Sequence, residues 1–196
     1  VFIPFRVTEG LLNDSYIASN VEFKKDYFIQ DFNGQKTYNR FIAIKAYDTD
    51  IITSLTISSI LHSHIDLDIY LSLSTIGKEL AKRKLERKRQ FATSGVKIQI
   101  AELLEMVESD RVILQNISYC ILVKAKTKKQ LNEDSIIIQN TLKDSGLVAV
   151  FENINLQPTF FSMFPNRANL NPRKRLHPSK NISTMILFEK EYLGRK

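Results

Sequence analysis

The sequence predicts an α+β fold, on three observations. Residues 65–74 alternate, with Ile65, Leu67, Ile69, Leu71 and Leu73 set against Asp66, Asp68, Tyr70, Ser72 and Ser74, the period of two of a strand with one wet face. Thr127-Lys128-Lys129-Gln130 is a capping box that opens a helix, Gly146 closes that helix, and residues 147–151 follow as a short strand. Residues 21–32 and 35–47 are aromatic and β-branched runs separated by Asn33-Gly34, the dipeptide best able to take the positive φ angles of a two-residue type I′ turn.

The remaining elements fall between these. Residues 53–63 read as a short helix. From 75 to 109 the period changes: Ile100, Leu103, Leu104 and Val107 fall at i, i+3, i+4 and i+7, and residues 78–91 are rich in strong helix formers, which predicts a helical hairpin hinged near Ser94-Gly95. Residues 112–125 return to strand character. The order strand, helix, strand, then strand, helix, strand is that of a ferredoxin-like split βαβ fold with an antiparallel or mixed sheet, the helical hairpin replacing the usual short middle connection. Residues 1–152 form this α/β sandwich domain with its insertion at about 75–109. Residues 153–196 read as an extension: an aromatic helix, a basic loop punctuated by Pro165, Pro172 and Pro178, and a last amphipathic piece.

Composition bounds what such a chain does. With 196 residues, 43% of them hydrophobic, it buries a real core. Its apolar runs, such as 41–44 and 119–123, stop far short of the roughly 18 residues a membrane-spanning helix requires. No secretory signal pattern is visible, and Val1 in the place of an initiator Met suits a trimmed or processed chain. The single cysteine, Cys120, lies in the apolar run 117–125, where a buried strand thiol is expected rather than a nucleophile, since no local His or helix N-terminus is there to lower its pKa. A formal net charge of +7 favours an acidic partner, whether anionic lipid, nucleic acid or an acidic protein surface.

Four constellations carry chemistry. In His62-Ser63-His64-Ile65-Asp66-Leu67-Asp68, an extended backbone would place four N and O donors on one face, the set Zn²⁺ or Mn²⁺ prefers. His62 and His64 instead fall where a helix ends and a strand begins, where a His interacts favourably with the helix dipole, and we expect no metal. The strongest charge run is Lys78, Lys82, Arg83, Lys84, Arg87, Lys88 and Arg89; it is either a solvated face or a contact for anionic headgroups or an acidic partner. Phe160, Phe161 and Phe164 share one helical face, which buries against the sheet or docks a neighbouring domain. Arg167, Arg173, Lys174 and Arg175 are loop charges or pair with acidic groups of another domain. No Ser-His-Asp order and no close carboxylate pair makes a hydrolytic site, so no catalytic residue and no small-molecule substrate is expected.

Residues 159–181 run through Phe160, Phe161 and Phe164 into Pro165-Asn166, then a basic loop, then Ser179-Lys180-Asn181 opening an apolar stretch. This resembles the F-x-x-x-[LF]-P-[GN] segment followed by R-x-R and S-x-N in the VirB/TrbE/CagE family of type IV secretion ATPases, and a weaker resemblance runs from Ile3-Pro4-Phe5 to the end. Asn166 stands where the family commonly has Gly. In that family the phosphate-binding loop lies downstream in a separate domain, and none of the six glycines here opens a G-x-x-x-x-G-K-[ST] pattern: Gly77 alone precedes a Lys, with Ser72 and Glu79 at the other two key positions. The resemblance implies a non-catalytic N-terminal module that docks and oligomerises, seating the motor on the bacterial inner-membrane complex from the cytoplasmic side. ATP and Mg²⁺ then belong to the full-length protein, and the implied partners are inner-membrane subunits, the protein's own ATPase domain and other protomers, with anionic lipid as a further contact. Lys82, Arg83, Lys84, Arg87, Lys88, Phe161, Phe164, Arg167, Arg173 and Arg175 are the candidate interaction residues. The alternative is a stand-alone basic nucleic-acid-binding module, although the expected sheet lacks the aromatic signature by which ferredoxin-like RNA binders stack bases.

Overall fold

The computed structural model describes residues 19–47, 54–164 and 167–182. The Ile3-Pro4-Phe5 segment, Pro165-Asn166 and the stretch beyond Ile182 lie outside the described residues. Among the described residues the chain folds as an α+β unit around a seven-stranded sheet in which every neighbouring pair of strands is antiparallel.

The first expected strand is two. β1 (Asn20–Phe23) and β2 (Phe28–Phe32) pair with each other, because the chain turns through Lys24–Tyr27, closed by the Lys24 N–H on the Tyr27 carbonyl at 2.8 Å. Two Lys and an Asp in that turn have no place on a buried strand. β2 then joins β3 (Gln35–Tyr47) through the expected turn: Asn33 and Gly34 take φ of 51° and 83°, and Phe32 faces Gln35. Asp31 Oδ1 accepts the Gly34 N–H at 2.9 Å, so the turn's free donor is satisfied.

β3 organises the sheet. One edge pairs with β2 at its start and, from Ile42 to Tyr47 with an irregularity between Ile44 and Ala46, with β6 (Leu147–Phe151) at its end; the other edge pairs with β5 (Leu114–Ala125). β4 (Leu67–Thr75) lies on the far side of β5, so that β6, β3, β5 and β4 follow in that spatial order. The connections between them are helical. α1 (Ser54–Leu61) links β3 to β4, and α4 (Lys128–Asp144) links β5 to β6. α4 begins as its cap predicts, with the Thr127 hydroxyl accepting the Gln130 N–H at 3.2 Å, and ends before Gly146 at φ 76°. Between β4 and β5 stand α2 (Lys78–Gln90) and α3 (Ser94–Glu108), the predicted hairpin, turning at 91–93.

Because successive residues of a strand face opposite ways, β5 feeds two cores. Ile117, Tyr119, Ile121 and Val123 pack with Ile42 and Ile44 against Leu131, Ile138 and Leu142 of α4 and Ile60 of α1. Cys120 and Leu122 face the other way, with Phe28, Phe41 and Ala43, and are covered by Leu156 and Phe160 of α5 (Leu156–Ser162). Each such side chain fully buried contributes about 1.5–3 kcal/mol. Residues after 153, expected as an extension, therefore close the second face of the sheet. Their reach goes further: β7 (Arg175–Pro178) pairs with β5 at Leu114–Ile117, where β3 no longer runs beside it, and Ile182 of α6 (Ser179–Ile182) is buried in the first core. Among the described residues no helix is long and apolar enough to cross a membrane.

Candidate functional site

The helical hairpin has a seat and a tip of different chemistry. At the seat, Ala81 and Leu85 of α2 and Val107 of α3 are buried with Ile76 and Leu114, and Leu176 of β7 packs against them. Leu80 is exposed while Ala81 and Leu85 are buried, because the inward stripe of α2 runs 81, 85. Two cations in the first turns of α2 are neutralised within the domain. Lys78 Nζ donates to the Glu108 carbonyl and to Asp110 Oδ1, both at 2.8 Å, and Lys82 Nζ lies 3.3 Å from Glu108 Oε1 and 4.0 Å from Glu79 Oε1.

Toward the tip this changes. Between Leu85 and Val107 no residue is buried. Arg83, Lys84, Arg87, Lys88 and Arg89 form no ion pair among the described residues. At the turn that they flank, Phe91 is 84% exposed, Ile98 63% and Val96 44%. This apolar tip is absent from the sequence reading. Ile98 lies off the Ile100-Leu103-Leu104-Val107 stripe, and Val96 lies on it but past the end of the seat, so the pattern was visible only as a mismatch.

The two basic segments of the sequence meet. Desolvation first, then the nearby Arg175 and Lys84, pull the Lys88 ammonium below the ordinary lysine range; burial first, then Lys88 and Arg175, pull down His177. Like charges thus converge where α2 passes β7, and the Arg175 guanidinium is held there by donating to the Lys45 carbonyl at 2.8 Å.

The other candidates lie elsewhere. Phe161 and Phe164 are half-buried in the aromatic cluster on the second face of the sheet, where Phe160 stacks edge-on against Phe23, Phe28, Phe161 and Phe164 at centroid distances of 5.1–5.5 Å. Arg167 is half-buried and its N–H donates to the Phe164 carbonyl at 3.1 Å. Arg173 has its partner inside the domain: Nε and Nη2 donate to the two carboxylate oxygens of Glu152 at 2.6 and 3.3 Å, and Glu152 is completely buried. That bond, opposed by partial burial, raises the Arg173 pKa further. Arg40, which the sequence reading passed over, is likewise buried, donating to Asp26 Oδ2 and Asn132 Oδ1 at 2.8 Å and lying 4.9 Å from the Phe151 ring centre. Neither Arg40 nor Glu152 breaks the local sequence pattern, so only the fold shows them inside.

The His/Asp cluster resolves into separate jobs. His62 Nδ1 sits 2.7 Å from the Ser58 carbonyl at the end of α1, while His64 turns the chain with φ 57°. Asp66 and Asp68 both hold Lys124 Nζ at 3.1 Å; burial lowers that ammonium's pKa, but the two carboxylates outweigh it and the net shift is upward. Among the described residues no group of three or more His, Cys, Asp or Glu is placed to hold a metal ion. Cys120 is buried, and desolvation, then the Glu152 charge, push its thiol far above the ordinary range, which leaves it no nucleophile.

Comparison with known proteins adds the context. Residues 1–173 match the model of the CagE, TrbE, VirB family, component of type IV transporter system. The chain is 22% identical over 200 residues to the type IV secretion system protein PtlC homolog of Bordetella bronchiseptica, covering 98% of this chain and 24% of that protein. It is 20% identical over 167 residues to the type IV secretion system protein PtlC of Bordetella pertussis, covering 82% of this chain and 20% of that protein. The chain thus spans about a quarter of the length of the curated relatives it matches. With most of its length matched by the family model, the chain belongs to the CagE, TrbE, VirB family of type IV secretion components.

Proposed function

We infer that this chain is the N-terminal docking and oligomerisation domain of a type IV secretion ATPase, and that it seats the motor on the inner-membrane complex from the cytoplasmic side. The observation that carries this reading is the hairpin: a cationic, apolar-tipped projection on a domain whose other buried charges are paired internally. A face that serves only solubility has no use for an exposed Phe91. ATP and Mg²⁺ act in the remainder of the longer protein, and this chain contributes position rather than chemistry.

The test uses the full-length protein in cells that carry the rest of the secretion system. Removal of residues 86–106, bridged by a short Gly-Ser turn, is expected to abolish co-purification with the inner-membrane subunits while leaving nucleotide hydrolysis by the detergent-extracted protein within about two-fold. Unchanged co-purification overturns the docking reading. Retention of the isolated chain on DNA, lost steeply as salt rises, supports the nucleic-acid-binding alternative instead.

A further inference from the structure

We propose that the hairpin tip enters an anionic lipid monolayer, with Phe91, Val96 and Ile98 inserted among the acyl chains and Arg87, Lys88, Arg89 and Lys97 held at the phosphate level. The inference deepens the docking reading and rests on it for the presence of a bilayer beside the domain.

Three observations select lipid over an acidic protein surface. First, the apolar residues stand at or beside the turn that ends the hairpin, with exposures of 84, 44 and 63% for Phe91, Val96 and Ile98. An apolar end of that kind fits a fluid layer that closes around it. Second, cations precede the tip on α2 (Arg87, Lys88, Arg89) and interrupt it on α3 (Lys97), the arrangement by which interfacial segments hold their charges at the headgroups while apolar side chains go deeper. Third, the carboxylates stand only at the base of the hairpin: Lys78 and Lys82 meet Glu79, Glu108 and Asp110, while Arg83, Lys84 and the cations beyond Leu85 meet no carboxylate among the described residues. A hairpin whose cations served only folding would have no reason to be neutralised at one end alone. Each cation near an anionic surface strengthens partitioning about five-fold, and burying the Phe91 ring adds at least about ten-fold.

The chain contains no tryptophan, so Phe91→Trp supplies a single emission probe at the tip. With vesicles of phosphatidylglycerol and phosphatidylethanolamine, its emission is expected to shift to the blue and to be quenched by brominated acyl chains, with neither change in phosphatidylcholine vesicles. Arg87, Lys88, Arg89 and Lys97 changed together to Gln are expected to weaken vesicle binding by about 100-fold or more at an unchanged denaturation midpoint. Val96→Ser with Ile98→Ser, in the otherwise unaltered chain, tests insertion apart from charge and should weaken binding about ten-fold. Binding without a blue shift means surface adsorption and overturns insertion, and so does absence of binding to anionic vesicles. Binding to isolated inner membranes that disappears after protease treatment of those membranes, with no vesicle binding, assigns the tip to a protein and overturns the lipid contact. A chain that ignores vesicles yet co-purifies with the secretion complex sinks this inference alone; one that binds vesicles yet fails to co-purify sinks the docking reading alone.

Discussion

Glu152 sits at the end of β6 with no exposed surface, one residue past the strand, its N–H on the Phe41 carbonyl at 3.0 Å and its carboxylate held by Arg173. A lone carboxylate in that place is expensive, because desolvation disfavours its charge. Arg173 thus serves the fold, clamping the loop before β7 onto the sheet. Breaking a buried pair from one side costs about 3–5 kcal/mol, and the partial exposure of this guanidinium lowers the expected loss to about 2–3 kcal/mol for Arg173→Met. Urea denaturation reads it directly: the midpoint falls, and the double variant Glu152→Gln with Arg173→Met recovers part of the loss. Should Arg173→Met leave the midpoint in place, the pair contributes nothing to the fold and the residue is free to serve a partner.

Among the elements, the Asn33-Gly34 turn offers the sharpest check. Gly34 holds φ of +83°, and a side chain added there meets no atom within 4 Å, so the cost of Gly34→Val is the backbone conformation alone. A β-branched residue resists that region, and a loss of about 1–3 kcal/mol is expected; Gly34→Asn, which tolerates it, should cost less than half as much. Equal losses for the two would show that φ is not what the turn demands. This turn was legible because its chemistry is local, and so were the Thr127 cap, the Gly146 stop and β6, all written in adjacent residues. β5 was legible as a strand but not as the shared wall of two cores, since an apolar run shows no face. β7 was not legible. Arg175-Leu176-His177-Pro178 carries one apolar residue and a Pro, and it becomes a strand only because β5 has an edge left open where β3 diverges. The same limit hid the tip: Phe91 reads as one more helix residue until the seat is seen to end at Leu85.

At the scale of the whole molecule, the sheet domain pairs its buried Arg40 and Glu152 internally, while the outer cations of its hairpin meet no carboxylate among the described residues. The place where nucleotide chemistry would most plausibly sit is the junction from β4 to α2, a strand running through Thr75-Ile76-Gly77 into a helix that opens with Lys78, the order in which phosphate loops are built. Each group there is already committed. The Ile76 side chain is buried and its N–H donates to the Leu114 carbonyl at 3.2 Å; the Gly77 carbonyl accepts the Ala81 N–H at 2.9 Å; and Lys78 Nζ is turned away onto Glu108 and Asp110. A loop that cradles phosphates needs successive backbone N–H groups pointing at one anion, and one glycine between a strand and a helix presents too few. The chain is therefore expected to bind neither ATP nor ADP, with or without Mg²⁺, at any concentration up to about 1 mM, where an affinity of only about −4 kcal/mol would already show. Isothermal calorimetry of the isolated chain checks this, and micromolar binding would require a phosphate site built from residues other than these.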